Sequence, residues 1–277
     1  MRADDYIRRG SRKIHGWMTA DAALLVKVIS EAQVDAGTKG SVGEIGVHHG
    51  RLFILLCLLA QPNERAFAID IFEAQELNVD RSGCGDRTIL EGHLRRVGAD
   101  LREVDIICRS SLDVSPQFLT EKAGPVRLFS IDGGHTTSIT LNDLRLAEAT
   151  LADGGVVILD DVFTSTFPGV SAALAAYLTG SGRLVPFAVS PQKVLLAQPA
   201  HHDHLMAAVA DGMPDLVLRT EDYFGSGVLI LRSQPTVREA FQLGVARTTA
   251  YRRLRHTPMV GLVIEHLRPA VLRAVGR

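Results

Sequence analysis

Residues 126–163 read VRLFSIDGGHTTSITLNDLRLAEATLADGGVVILDDVF. An apolar run closes on Asp132, Gly133-Gly134 makes a turn, and His135 follows. A helical segment then runs to Gly154-Gly155, and a second apolar run closes on Asp160-Asp161. Two apolar strands joined by a helix are parallel neighbours in one sheet, so the acids that end them meet at one edge. In open α/β sheets that carboxyl edge is where ligands bind.

The same strand–helix rhythm continues on both sides. Upstream, the pattern predicts strands over 41–47, 66–71 and 104–108 and a helix over 87–97, with a polar loop over 73–86. Gly50 is expected to open an apolar helix reaching about residue 60, and Ser115-Pro116 to start another by N-cap and first-turn proline chemistry. Downstream, Pro168 begins a helix that Gly180 ends, and 184–189 and 193–197 pair around a Ser190-Pro191 turn. Five strand–helix units and two further strands predict a doubly wound α/β sheet, with the last pair as an antiparallel edge. Thr19 or Asp21 caps a helix over 22–33. The division expected is an N-terminal helical segment and lid over 1–36, a central domain over 37–198, and an extension over 199–277. That extension would serve specificity or subunit contacts, possible homo-oligomer contacts included.

The chain has 277 residues and a net charge of −1, which gives no case for a nucleic-acid partner. No apolar run approaches the length of a membrane span, and the charged start MRADDYIRRGSRK lacks the apolar core of a signal peptide. Cys57 and Cys108 sit in apolar runs and read as reduced core residues, with Cys84 in the polar loop, so a cytoplasmic location is expected. Arginine outnumbers lysine 25 to 5, which reads as genome composition. Residues 245–277 carry seven arginines and one acid, Glu265, a segment open to a polyanion, a lipid or a packing role.

Four groups carry chemistry. GEIGVHHG, residues 43–50, is a strand-to-helix turn in which Gly46 and Gly50 let backbone approach a ligand and Gly50 offers helix-start N–H groups. It is not the dinucleotide fingerprint, because His48 stands in the middle glycine's place, and an ordinary turn remains the alternative. Asp70 ends the second strand, where a carboxylate accepts two ribose hydroxyls or caps a turn. Asp132, Asp160 and Asp161 gather three like charges, which a cation would relieve; oxygen ligands suit Mg2+, Mn2+ or Ca2+. The alternative is one Asp capping a helix and another facing solvent. His135 sits where an imidazole with an ordinary pKa near ~6.5 serves as a general base, or else caps a helix. His48 and His49 point to the cleft mouth as substrate contacts or as exposed residues. His201, His202 and His204 read as a solvated helix start rather than a metal tract.

EIGVHHG, IDIF, FSIDGGHTTSITLNDL and LADGGVVILDD together resemble the class I S-adenosylmethionine-dependent methyltransferases. The branch they resemble holds the metal-dependent sugar O-methyltransferases of the macrocin and mycinamicin type and the cephalosporin hydroxylase-like proteins. The resemblance covers about residues 40–198. It implies a Rossmann-like seven-stranded sheet with an antiparallel last strand. It implies that Glu44, Gly46, Val47, Gly50, Asp70, Ile71, Ser110, Ser111 and Asp132 contact S-adenosylmethionine. It further implies that Asp132, Asp160 and Asp161 hold Mg2+ and that His135 is the base. The acceptor would be a hydroxyl of a sugar or glycosylated small molecule, with His48, His49 and Trp17 near it and Trp17-Met18 and the 73–86 loop as lids. The His48-His49 pair departs from the usual small or aromatic residues of that loop, so the acceptor pocket differs. A catechol-type phenolic O-methyltransferase, a hydroxylase-like relative and a non-catalytic cofactor-binding protein are the rivals.

Overall fold

The structure, a computed structural model, describes residues 1–233; the arginine-rich stretch 245–277 lies outside them. Its strands are β1 (Ser41–Ile45), β2 (Ala66–Asp70), β3 (Val104–Cys108), β4 (Val126–Ile131), β5 (Leu151–Leu159), β6 (Val185–Val189), β7 (Val194–Ala197), β8 (Val217–Tyr223) and β9 (Ser226–Leu231). They form one sheet in the order β3-β2-β1-β4-β5-β7-β6-β9-β8. β1 to β5 are mutually parallel, β7 runs antiparallel to β5 and β6, and β9 is parallel to β6.

Alternation along each strand feeds two cores. Leu128, Val156 and Ile158 face one, while Phe129, Val157 and Leu159 face the other. The first core is closed by α2 (Ala20–Asp35), α3 (Phe53–Leu59), α4 (Arg87–Val97) and α8 (His202–Gly212). The second is closed by α5 (Pro116–Ala123), α6 (Thr137–Thr150) and α7 (Pro168–Thr179). Sheets with helices on both faces keep both faces of each strand apolar, and all six residues of β4 are buried. The sheet order reverses between β1 and β4, so their carboxyl ends part and open a crevice.

Two features differ from the expected plan. The sheet has nine strands, not seven, and the β6–β7 hairpin is not its edge. All four residues of β7 are buried, which requires a neighbour on each side; β8 exposes Leu218 to Asp222, as a solvated edge tolerates. Residues 199–232 belong to the same compact unit as the sheet. β5 begins at Leu151 directly after α6, with Gly154-Gly155 inside an irregular first half of the strand rather than before it.

Two buried anchors fix the surrounding segments to the sheet. Arg127, fully buried in β4, pairs with Glu64 at 2.9 Å and donates to Ser30 Oγ, Gln33 Oε1 and the Leu59 carbonyl. A buried guanidinium is tolerated only when its donors are met this fully. Near the N-terminus, α1 (Ala3–Asp5) runs on into helical turns through Lys13. The Tyr6 ring there is fully buried and its hydroxyl donates to the Arg51 carbonyl at 2.6 Å. That contact ties the polar N-terminal segment to the loop after β1. Cys108 is exposed at the end of β3, against the core position its apolar run suggested, whereas Cys57 packs against the first core.

Candidate active site

A cleft of about 490 Å³ opens at the carboxyl ends of β1, β2, β4 and β5, within the ~300–1,000 Å³ of small-molecule sites. The loop over 75–85 and the Trp17-Met18-Thr19 segment border it.

One half is built by β1 and β2. Asp70 ends β2, and its carboxylate accepts from the backbone N–H of His48 and of Phe72, each at 2.7 Å. Burial pushes this carboxyl up, against those amide donors. Asp70 therefore holds two loops in place and still lines the cleft. Gly46 is required by a close approach: a Cβ there would lie 1.7 Å from the Asp132 carbonyl oxygen. Gly50 has φ +86° and a Cβ would meet Leu90 at 2.4 Å, so its place is set by packing against α4. It does not open a helix, since α3 starts at Phe53. Gly46, Ile71, Ser110 and Ser111 line the cleft, while Val47 and Gly50 do not. Ser110 also caps the following turn through Leu112 N–H.

The other half is built by β4 and β5. Asp132, His135 and Asp161 present ligand atoms all within 4.8 Å of one another. His135 Nε2 lies 3.5 Å from Asp132 Oδ1 and 3.5 Å from Asp161 Oδ2. Its Nδ1 meets Asp80 Oδ2 at 2.7 Å, and its backbone N–H donates to the same oxygen at 2.8 Å. Ser82 Oγ donates to Asp80 Oδ1 at 2.5 Å, and Phe167 stacks on the imidazole at 3.9 Å between centroids. Burial alone would lower the pKa of His135; hydrogen bonds and charge from Asp132 and Asp80 outweigh it and push it up to about 9. Asp161 is raised to about 6 by burial and by the charges of Asp132 and Asp160. Asp80 is driven down to about 2: burial opposes this, and the Ser82 and His135 hydrogen bonds prevail.

Asp160 stands apart from that trio. Its Oδ2 is hydrogen-bonded to the ammonium of Lys193, which is 4% exposed, and its Oδ1 accepts from Asp161 N–H at 2.9 Å. Burial would strip Lys193 of its proton, but the charges of Asp160 and Asp132 hold it on. Of the expected metal set, Asp132 and Asp161 come together with His135 between them, while Asp160 pairs with the buried Lys193. Glu44 lies behind the cleft wall at 2% exposure, with Oε2 unpartnered among the described residues and its carboxyl pushed well up by burial and by Asp132.

The rim carries a second cluster. His48 and His49 rings lie 3.9 Å apart, His15 joins them, and Trp17, 71% exposed, packs on His15 and His48. Burial and the neighbouring rings lower His48 to about 4 and lower His49 as well. His48 lines the cleft; His49 does not. His201, His202 and Asp203 disperse onto separate partners, Asp153, Gly227 and one another, in keeping with a helix-start reading.

Sequence reasoning missed Asp80, Phe167 and Lys193. Asp80 sits in a loop without periodicity, and Phe167 precedes a helix with no cue to its partner. Lys193 left a signal: one of only five lysines, it opens the apolar run VLLA.

Residues 44–162 match the family model described as a methyltransferase domain. No curated protein matches the chain by sequence. Among solved structures, the O-methyltransferase NovP aligns at 15% identity and TM-score 0.54, covering 66% of this chain and 83% of that one. CalS11, a TDP-rhamnose 3'-O-methyltransferase of calicheamicin biosynthesis, aligns at 17% and TM-score 0.50 over 72% and 87%. The O-methyltransferase TomG from Streptomyces achromogenes, solved with S-adenosylmethionine, aligns at 15% and 0.50 over 72% and 90%. At these identities the likeness is one of fold.

Proposed function

We propose that this chain is a class I, S-adenosylmethionine-dependent methyltransferase and that it methylates a hydroxyl oxygen of a sugar or glycosylated small molecule, assisted by a divalent cation, Mg2+ first. The observation that carries this reading is His135, clamped by Asp80 and aimed between Asp132 and Asp161 at one end of the cleft. CalS11, whose name specifies a sugar hydroxyl, supports the acceptor class.

The residues suit both groups. Asp70, Gly46, Ile71, Ser110 and Ser111 would border S-adenosylmethionine, whose sulfonium supplies an electrophilic methyl. Asp132 and Asp161 would hold the cation, which lowers the pKa of a hydroxyl beside it; one or two carboxylates, with waters and substrate, is how Mg2+ is usually held. A stand-in is visible: at neutral pH the His135 imidazolium supplies the positive charge that Asp132 and Asp161 require. A cation held by those carboxylates would favour the neutral form of His135. Asp80 then keeps the remaining proton on Nδ1, leaving Nε2 to accept the proton of the acceptor hydroxyl. Phe167 fixes the ring plane and excludes water from that side. Lys193 keeps the Asp160 charge away from the reacting oxygen. Cleft residues align oxygen and methyl, which contributes through proximity.

The test is an acceptor screen with labelled cofactor, with Mg2+ or with EDTA, read by product mass, beside His135→Ala. Wild type is expected to add a methyl group to hydroxylated glycosides only with Mg2+. His135→Ala should lose on the order of 10²–10⁴ in turnover while keeping its cofactor and Mg2+ affinities. Full turnover in EDTA would remove the cation. Loss of Mg2+ affinity in His135→Ala would make the imidazole a ligand instead of the base. Addition of oxygen in place of methyl would replace the reaction class.

A further inference from the structure

The His15, His48 and His49 cluster takes no part in methyl transfer as derived above, and its geometry is that of a ligand set. Each ring offers a nitrogen within 4.8 Å of the others'. The three come from two segments: His15 from the N-terminal arm held down by Tyr6, and His48 and His49 from the loop after β1.

Two further observations point to an occupant. His48 Nδ1 is buried without a well-formed hydrogen bond, although the His15 backbone lies near the ring. A buried polar atom without a full partner is costly and calls for one. The backbone of His48 is left-handed, φ +52°, a conformation that disfavours any side chain with a Cβ. The protein places an imidazole where glycine would sit without strain, and Asp70 secures the turn through His48 N–H at 2.7 Å. Strain kept at a ring aimed into a cluster supports a functional reading of the position.

We infer that His15, His48 and His49 form a second metal site, one that takes a nitrogen-preferring transition ion of the Zn2+ class and clips the N-terminal arm to the β1 loop at the cleft mouth. Imidazole sets select Zn2+, Cu2+, Ni2+ or Co2+ over Mg2+, so this site and the carboxylate site are chemically separate. Three protein nitrogens leave a position open to water or to a donor from the cleft. The inference rests on no part of the methyl-transfer reading.

The probe is Zn2+ alone, titrated into untagged full chain stripped by chelator and held in excess Mg2+, with Co2+ absorption as the ligand-field readout. One Zn2+ per chain is expected, with a visible Co2+ spectrum of a nitrogen-bound ion and a raised Tm. His15→Ala, on an exposed residue outside the cleft lining, should weaken Zn2+ at least about tenfold, the order seen when a metal's supporting residues are lost. It should also abolish the gain in Tm. His15→Asp, which keeps a ligand atom, should recover part of the affinity. Asp161→Asn and the surface variant His204→Ala should bind as wild type does. The inference is overturned if no Zn2+ binds, if His15→Ala binds unchanged, or if Asp161→Asn is the variant that loses the ion.

Discussion

His135 and His48 sit on one cleft, and their surroundings drive the two rings in opposite directions. His135 stands among Asp80, Asp132 and Asp161, which hold a proton on it against the pull of burial. His48 stands among His15, His49 and Trp17, none of which carries a compensating negative charge, and burial with the neighbouring imidazoles outweighs the His15 backbone and the distant Asp132 charge. One residue type thus becomes a cation in the half of the cleft built by β4 and β5 and a neutral donor of lone pairs at the rim. Neighbours decide the role of a histidine more than the ring does.

The widest difference is in titration. Followed by NMR on protein free of metal, His135 is expected to titrate near 9 and His48 near 4. The sign follows from the partners: carboxylates favour the charged ring, whereas burial and adjoining imidazoles favour the neutral one. Adding Mg2+ should move His135 down and leave His48 in place. Two rings titrating together near ~6.5 would erase the distinction.

The carboxylate half depends on charge compensation in a way the ring cluster does not. Lys193→Met would leave Asp160 buried without its cation, beside Glu44. Removing one partner of a buried pair costs about 3–5 kcal/mol, read as a lowered denaturant midpoint. Lys193→Met combined with Asp160→Asn should regain much of it, because no buried charge is stranded. An unchanged midpoint in the single variant would show that Asp160 does not need the lysine.

The alternation of strand and helix was readable because periodicity and turn residues are local properties. The helix over Arg87–Val97 and the strand over Val104–Cys108 fall where the pattern puts them. The clustering of Asp132, His135 and Asp161 was readable too, since strand ends of a parallel sheet share an edge. Partner choice was not. Whether Asp160 turns to a metal or to Lys193 depends on β7 lying between β5 and β6, a placement of long range that no spacing encodes. The same holds for Asp80, which reaches His135 from 55 positions away along a loop. Tyr6 shows the limit from the other side: a charged, polar segment gave no hint that one ring in it is fully buried.

The smallest effect probes the rim by its backbone alone. His48→Gly and His48→Ala delete the same imidazole, its contacts with His15, His49 and Trp17, and its buried nitrogen. They differ only in the Cβ that the left-handed backbone must carry at φ +52°. If the protein holds strain there to place the ring, the glycine variant should be more stable than the alanine variant by roughly 1 kcal/mol, measured by denaturant midpoint. Both variants should bind Zn2+ equally poorly, since neither has the ring. Alanine as stable as glycine would mean that the turn is not strained, and the position of His48 would then need no function to explain it. No comparable pair exists at His135, where φ is negative and side-chain contacts with Asp80 and Phe167 hold the ring.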